Sequence, residues 1–441
     1  MTGKRTTKRA AVVIANAVLL LVLSGCAPPA RRASANHSGA SATVPYRNLF
    51  AEAGYSQSEI TRKLDDAFRQ FFHGDARTQA VYYPAGVNAN GPLAYIYDTG
   101  NHDVRSEGMS YGMMIAVQMN KQAEFDAIWN WARTYMFHDA TNQPSYGFFS
   151  WSMKTNGVPN DEMPAPDGEE YFAMSLYFAA GRWGNGAGIY NYQAEADRLL
   201  INMRHRPLIT GLTVTGLRTA GALFDPARHM VRLTPDTNGW NHTDPSYQLP
   251  AFYELWARWG PPADRAFWEK ASAASRNFFQ QVANSQTGLT PDFANFDATP
   301  WASPWNTNTV NFTFDSWRTA MNWSVDWAWW AKDGREEQLS DRLQAFFAGQ
   351  GMTNYANQFT LDGEPLSTDH SPGLIAMNAV ASLAATQPLA NDFVEELWNT
   401  PIPSGQWRYY DGLLYCMGLL YCSGEFRIWS PPQTNALKPA P

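Results

Sequence analysis

Three stretches of this chain place a carboxylic acid where a polar loop runs into an apolar, aromatic-rich segment with helical spacing. They are Asp103-Val-Arg105-Ser-Glu107-Gly-Met-Ser-Tyr111-Gly-Met-Met, Pro166-Asp167-Gly-Glu-Glu-Tyr-Phe and Phe314-Asp315-Ser-Trp-Arg318-Thr-Ala-Met-Asn-Trp. A carboxyl held against apolar surface has its acidity set by its surroundings, and it serves as an acid or base rather than as a solubilising charge. Such groups gathered over one cleft are what hydrolysis of a glycosidic bond requires. Taken singly, each has an ordinary reading, because Asp and Ser cap helices and acids suit the first turn. Three of them beside aromatics on alternate segments favour chemistry.

The elements that must position them follow from apolar residues recurring three and four apart. Twelve helical segments are expected: 58–74, 106–119, 122–137, 169–183, 191–203, 245–258, 263–283, 315–331, 335–350, 371–386, 390–398 and 409–422. Strand signals are few: Val81–Tyr83, Ala94–Tyr97 and Met230–Leu233. The expected fold is all-α, an (α/α)6 barrel of six helical hairpins closed into a ring. The even-numbered segments are the more continuously apolar and form the inner ring, with their N-termini at one mouth. Glu107, Asp167, Tyr247, Asp315 and His370 stand at five of those N-termini, so alternation brings all five to one rim. Asp161, Glu162, Glu169, Glu170, Asp292 and Asp297 read as loop or surface acids. Asp326, inside an aromatic helix, reads as a paired core acid.

Composition narrows the partner. The chain carries 18 Trp, 20 Tyr and 24 Phe among 441 residues, more rings than a core needs, which suits platforms for flat sugar faces. The net charge is -7, and the first 25 residues hold four cations and no acid, leaving -11 for the rest. An acidic body excludes nucleic acid, whose phosphates require a basic stripe. Gly184-Asn-Gly186-Ala-Gly188 follows a helix rather than a strand and reads as a turn, not a phosphate loop. No metal-ligand spacing is visible among the eight His, so neither metal nor cofactor is expected.

The N-terminus reads as a targeting segment: a basic start, then an apolar run from Ala10 to Leu23 that is too short to span a membrane. It ends in Leu23-Ser-Gly-Cys26, which resembles a bacterial lipobox. Residues 1–25 are then a signal peptide and Cys26 the lipidated residue. Residues 26–44 form a flexible tether, 45–430 the helical body and 431–441 a Pro-rich tail. The protein is expected on the outer side of a bacterial membrane (the outer membrane if the cell has one), held by the lipid alone, and monomeric. Cys416 and Cys422 lie six residues apart on one helix, about 9 Å of rise, too far for a disulfide. They read as buried apolar residues.

The three junctions resemble those of glycoside hydrolase family 8. Ser106-Glu107-Gly-Met-Ser-Tyr111-Gly-Met113 is similar to that family's motif around its general acid. Asp167 matches an Asp that lies against the sugar at subsite -1. Asp315, in Phe314-Asp315-Ser-Trp-Arg318, matches the general base of one major branch. Tyr247, in Asp244-Pro-Ser-Tyr, matches a Tyr that helps hold the nucleophilic water. Leu366-Ser-Thr-Asp-His370 looks like the loop of one subgroup, the reducing-end xylose-releasing exo-oligoxylanases, in which a His binds the anomeric hydroxyl beyond the cleaved bond. The resemblance covers the chain after the tether. It implies an inverting hydrolase acting on xylo-oligosaccharides.

Inversion asks one carboxylic acid to protonate the leaving oxygen and one carboxylate to deprotonate a water, roughly 6.5–9.5 Å apart. Glu107 must then stay protonated near neutrality although the helix N-terminus favours its anion. Burial among Met109, Met113 and aromatics, with the like charge of Asp167, would raise its pKa. Arg318 and the helix terminus favour ionised Asp315. Asp167 as the base is the alternative. Trp151 and Phe314 are stacking candidates, with core packing the competing reading. Arg105 and Arg318 fix carboxylates or bind sugar hydroxyls, and Tyr111 lies in the same substrate-binding set. An endo-acting family member on xylan, β-glucan or chitosan and a non-catalytic glycan-binding lipoprotein are the rival readings.

Overall fold

The computed structural model describes residues 46–432. The expectations for the signal segment, the Cys26 anchor and the tether lie outside the described residues, as does all but the first two residues of the Pro-rich tail. After a single turn, α1 (Leu49–Glu52), twelve longer helices follow. They are α2 (Gln57–His73), α3 (Ser106–Gln118), α4 (Gln122–Trp131), α5 (Pro166–Trp183), α6 (Tyr192–His205), α7 (Pro250–Trp259), α8 (Arg265–Val282), α9 (Trp317–Trp330), α10 (Arg335–Gln350), α11 (Pro372–Ala381), α12 (Ala390–Asn399) and α13 (Arg408–Cys422).

Their sequences explain both their ends and their layer. A reciprocal Ser56/Glu59 capping box opens α2, and Pro sits in the first turn of α5, α7 and α11, where its missing N–H costs nothing. Outer helices bury one stripe, as α12 does with Phe393, Val394 and Leu397. Inner helices are buried around their whole circumference. In α3 every residue but Glu107 is buried, and in α13 every residue but Tyr410 and Asp411.

The ring is the (α/α)6 barrel expected from the sequence. α3 packs on α5, α7 on α9, α9 on α11, α11 on α13, and α13 returns to α3. The α5–α7 seam is made by Tyr171 against Phe252, ring centroids 5.1 Å apart, and by the Tyr253 hydroxyl on Glu170 at 2.6 Å. Cys416 and Cys422 are buried free thiols on α13. Asp326 is the paired core acid anticipated: Arg276 on α8 donates to both its oxygens, at 2.6 and 2.8 Å. Among the described residues no helix is long and apolar enough to cross a membrane.

The strands are short and lie on the connections. Tyr82–Asn88 pairs with Gly91–Ile96, and Val104–Arg105 joins Ser152–Met153 and Pro159–Asp161 in a small sheet that feeds directly into α3. Met230–Val231 pairs with Phe224–Asp225. The hairpin Ile209–Thr213/Gly216–Ala220 was not anticipated.

Several expected boundaries move for local reasons. The segment placed at 245–258 begins only at Pro250, because Pro245–Tyr247 forms a 3-10 turn capped by the Asp244 carboxylate on Ser246 N. The segment placed at 315–331 begins at Trp317, leaving Asp315 in the preceding turn. Helix α4 passes into a π turn, Ala132–Met136. Three acids read as loop or surface groups are buried. Glu169 and Glu170 face inward on α5, whose whole first four turns are enclosed, and Asp292 caps a buried turn.

Candidate active site

The mouth is organised by Arg318, one residue into α9, whose side chain is 1% exposed. Its Nη1 donates to Glu107 Oε2 at 3.2 Å, to the Tyr111 hydroxyl at 2.9 Å and to Asp167 Oδ2 at 2.6 Å. Its Nη2 donates to Asp315 Oδ1 at 2.5 Å. A planar fork with fixed donors can serve several carboxylates in defined directions. The guanidinium also lies 5.8 Å from the centre of the Tyr247 ring. Helices α3, α5 and α9 and the turn before α7 therefore converge on one cation. The mouth closes on its other side through Gly373 N of α11, which donates to Asp411 of α13 at 2.9 Å.

The carboxyls differ in surroundings. Glu107 keeps 16% exposure, Asp167 4% and Asp315 33%. Burial pushes Glu107 up to about 7 against the pull of Arg318, with the charges of Asp167 and Asp315 adding to the rise. Burial also raises Asp167, again opposed by Arg318. The expected methionine wall is only partly there, since the Met109 sulfur accepts the Ile96 N–H and faces the hairpin.

Two groups at the mouth escaped sequence reasoning. Tyr409, one residue into α13, donates its hydroxyl to Glu107 Oε1 at 3.2 Å. A methyl added at Gly108 would land on that ring, so the glycine allows α13 its close approach. Five inner-helix N-termini had been singled out and Tyr409 stands at the sixth, so the same alternation would have found it. Asp244 is the second: fully buried, its Oδ2 without a partner, raised by burial and then by Asp315.

The other expected residues make contacts of their own. Arg105 pairs with Asp103 at 3.0 Å and Asp98 at 3.3 Å, with its guanidinium 5.5 Å from the Trp151 ring, and its charge also pulls the pKa of Glu107 down. Phe314 is 48% exposed, as a platform would be. His370 is turned into the chain, with Nδ1 bonded to Tyr355 O at 2.8 Å and Nε2 lying 3.2 Å from Glu396 of α12.

The sequence pattern of glycosyl hydrolases family 8 matches residues 86–424. The chain belongs to that family. A glycosyl hydrolase family 8 structure with xylobiose from Teredinibacter turnerae is 58% identical, with TM-score 0.88 over 89% of this chain and all of that one. A catalytic mutant xylanase of the same organism, with xylohexaose, is 57% identical, with TM-score 0.88 over the same shares. The reducing-end xylose-releasing exo-oligoxylanase Rex8A of Paenibacillus barcinonensis is 42% identical over 393 residues, 89% of this chain and 98% of that protein. The mouth of this family 8 hydrolase brings together a carboxyl lifted by burial to about 7, two further carboxyls on the same cation, and a tyrosine beside them.

Proposed function

We propose that this family 8 enzyme is an inverting hydrolase that releases xylose from the reducing end of β-1,4-xylo-oligosaccharides. The observation that carries the catalytic reading is the single buried guanidinium of Arg318 spanning Glu107, Asp167 and Asp315. Glu107, raised to about 7, serves as general acid and protonates the leaving oxygen. Asp315, on the opposite nitrogen of the fork, serves as general base for the attacking water, with Tyr247 beside it. Arg318 standing between the two keeps them from direct contact. Asp167 receives hydroxyls of the distorted sugar at subsite -1. The exo-oligoxylanase name of a relative aligned over nearly its whole length supports the substrate and the position of cleavage.

Endo-acting cleavage of xylan is the second reading. His370 is turned into the chain, with Nδ1 bonded to Tyr355 O and Nε2 3.2 Å from Glu396, which weakens it as a ligand for an anomeric hydroxyl. The 57%-identical neighbour is named a xylanase and holds xylohexaose. Xylotriose and xylotriose reduced at its end separate the readings, with products and anomeric configuration followed by NMR. Xylose and xylobiose from the free sugar alone, with inverted configuration at the new end, is the expected result. Equal cleavage of both sugars would establish the endo reading, and no cleavage of either would refute the substrate assignment.

A further inference from the structure

Glu107 and Asp167 lie inside the first turns of α3 and α5, so helix backbone fixes where they point. Asp315 does not. Helix α9 starts at Trp317, and the residue proposed as base hangs on a turn, Thr313–Ser316. A turn at a mouth needs an outside restraint if a side chain on it is to hold catalytic geometry.

Asp292 provides that restraint. Its Oδ1 accepts from Thr313 N at 3.2 Å, Ser316 N at 3.0 Å and Ser316 Oγ at 2.6 Å, and its Oδ2 meets the Thr313 hydroxyl. The four contacts bracket Asp315 from the residue two before it to the residue after it. Ser316 is the N-cap of α9, yet its side chain makes no cap hydrogen bond; the hydroxyl is turned to Asp292 instead. That departs from the usual preference of an N-cap serine for the helix's own amides. From the other side the Tyr410 hydroxyl donates to Phe314 O at 2.8 Å. Asp292 is 5% exposed. Burial, and then the charge of Asp315, push it up to about 7, so near neutrality its carboxyl is partly neutral and resembles an amide in its hydrogen bonding.

We propose that Asp292 is a positioning residue that clamps the Thr313–Ser316 turn and thereby sets where the Asp315 carboxylate meets the attacking water. The inference rests on Asp315 as the base. Without the clamp the turn relaxes while the sugar contacts of α3 and α5 persist, so turnover falls and affinity does not. Misplacing a reacting group by about 1 Å costs on the order of 10²-fold in rate.

The test compares Asp292→Ala, Asp292→Asn and Ser316→Ala with wild type on xylo-oligosaccharides, alongside amide exchange at Thr313 and Ser316. The Asn amide keeps an acceptor for the two backbone N–H groups and can donate to the Thr313 hydroxyl, so it should retain kcat within about threefold. Asp292→Ala should lose kcat by about 30- to 100-fold with KM changed less than about threefold. Its two amides should exchange about tenfold faster than in wild type. Ser316→Ala removes one of the four contacts, should fold even if Asp292→Ala does not, and should lose about five- to tenfold in kcat. Undiminished kcat in Asp292→Ala would overturn the proposal. So would an Asn variant as slow as the Ala variant with its amides still protected, because charge rather than the clamp would then matter. Fast exchange at both amides in wild type would overturn it whatever the enzyme cleaves, which keeps failure of the clamp apart from failure of the substrate reading.

Discussion

Removing the Tyr409 hydroxyl should move the alkaline limb of activity upward. That hydroxyl donates to Glu107 Oε1 at 3.2 Å, and a donor stabilises the carboxylate over the acid, so it holds the pKa of Glu107 down. Tyr409→Phe keeps the ring that packs on Gly108 and deletes only the donor. A hydrogen bond to a charged group contributes about 1.5 kcal/mol at this length, which corresponds to about one pKa unit. Glu107, at about 7 in the wild type, should rise toward about 8. The general acid works protonated, so the variant should stay active to higher pH. The assay is kcat/KM for xylotriose from pH 5 to 9.5 at constant ionic strength, which reports ionisations of the free enzyme. At pH 8 the acid form would grow from about a tenth to about half of the molecules, so the variant should gain relative to its own plateau by about fivefold. A limb that stays in place, or moves down, would refute the assignment of Glu107 as the acid controlled by this contact.

Three further outcomes follow from the same chemistry and from the N-terminal motif. Glu107→Gln should cost about 10²- to 10⁴-fold in kcat on xylo-oligosaccharides. It should also stabilise the protein at high pH. A carboxyl raised from 4.5 to about 7 binds its proton more tightly folded than unfolded, so stability falls as pH rises through that window and stays lower above it. The variant's advantage in urea unfolding should therefore be near zero at pH 4.5 and on the order of 2–3 kcal/mol at pH 8; an advantage that does not grow with pH would contradict the raised pKa. The Leu23-Ser-Gly-Cys26 motif predicts palmitate incorporation in a bacterial host that is lost in Cys26→Ala, together with transfer of activity to the soluble fraction. Equal labelling of the two would remove the anchor.

What the sequence could show was set by how local each signal is. Helical periodicity is local, so all twelve longer helices were legible, and with them the alternate inner ring that carries Glu107, Asp167, Asp315 and Arg318 to one rim. Boundaries failed where side chains compete with helix formation: Asp244 caps a 3-10 turn, and Ser316 gives its hydroxyl to Asp292, 24 residues away. Burial of Glu169, Glu170 and Asp292 was not legible because each depends on partners distant in sequence, Phe149, Tyr253 and the Thr313–Ser316 turn. His370 shows the same limit. Its place before α11 was readable, but its ion pair with Glu396 belongs to the outer ring.

Charge balance at the mouth bears on the choice of base that the sequence left open. Glu107, Asp167, Asp244 and Asp315 crowd around one guanidinium, with Asp292 against Asp315, and burying so many negative charges beside one cation is costly. Burial opposes their ionisation. It raises Glu107, Asp167, Asp244 and Asp292 alike. Asp315 differs in two respects: it is 33% exposed, and it has Nη2 of Arg318 at 2.5 Å, whereas Asp167 shares Nη1 with Glu107 and Tyr111. A base must be ionised before the reaction and open to the water it activates. Asp315 is the more open of the two and has one guanidinium nitrogen to itself, which favours it as the base and leaves Asp167 to the sugar. The buried acids around it then act as hydrogen-bonding scaffold.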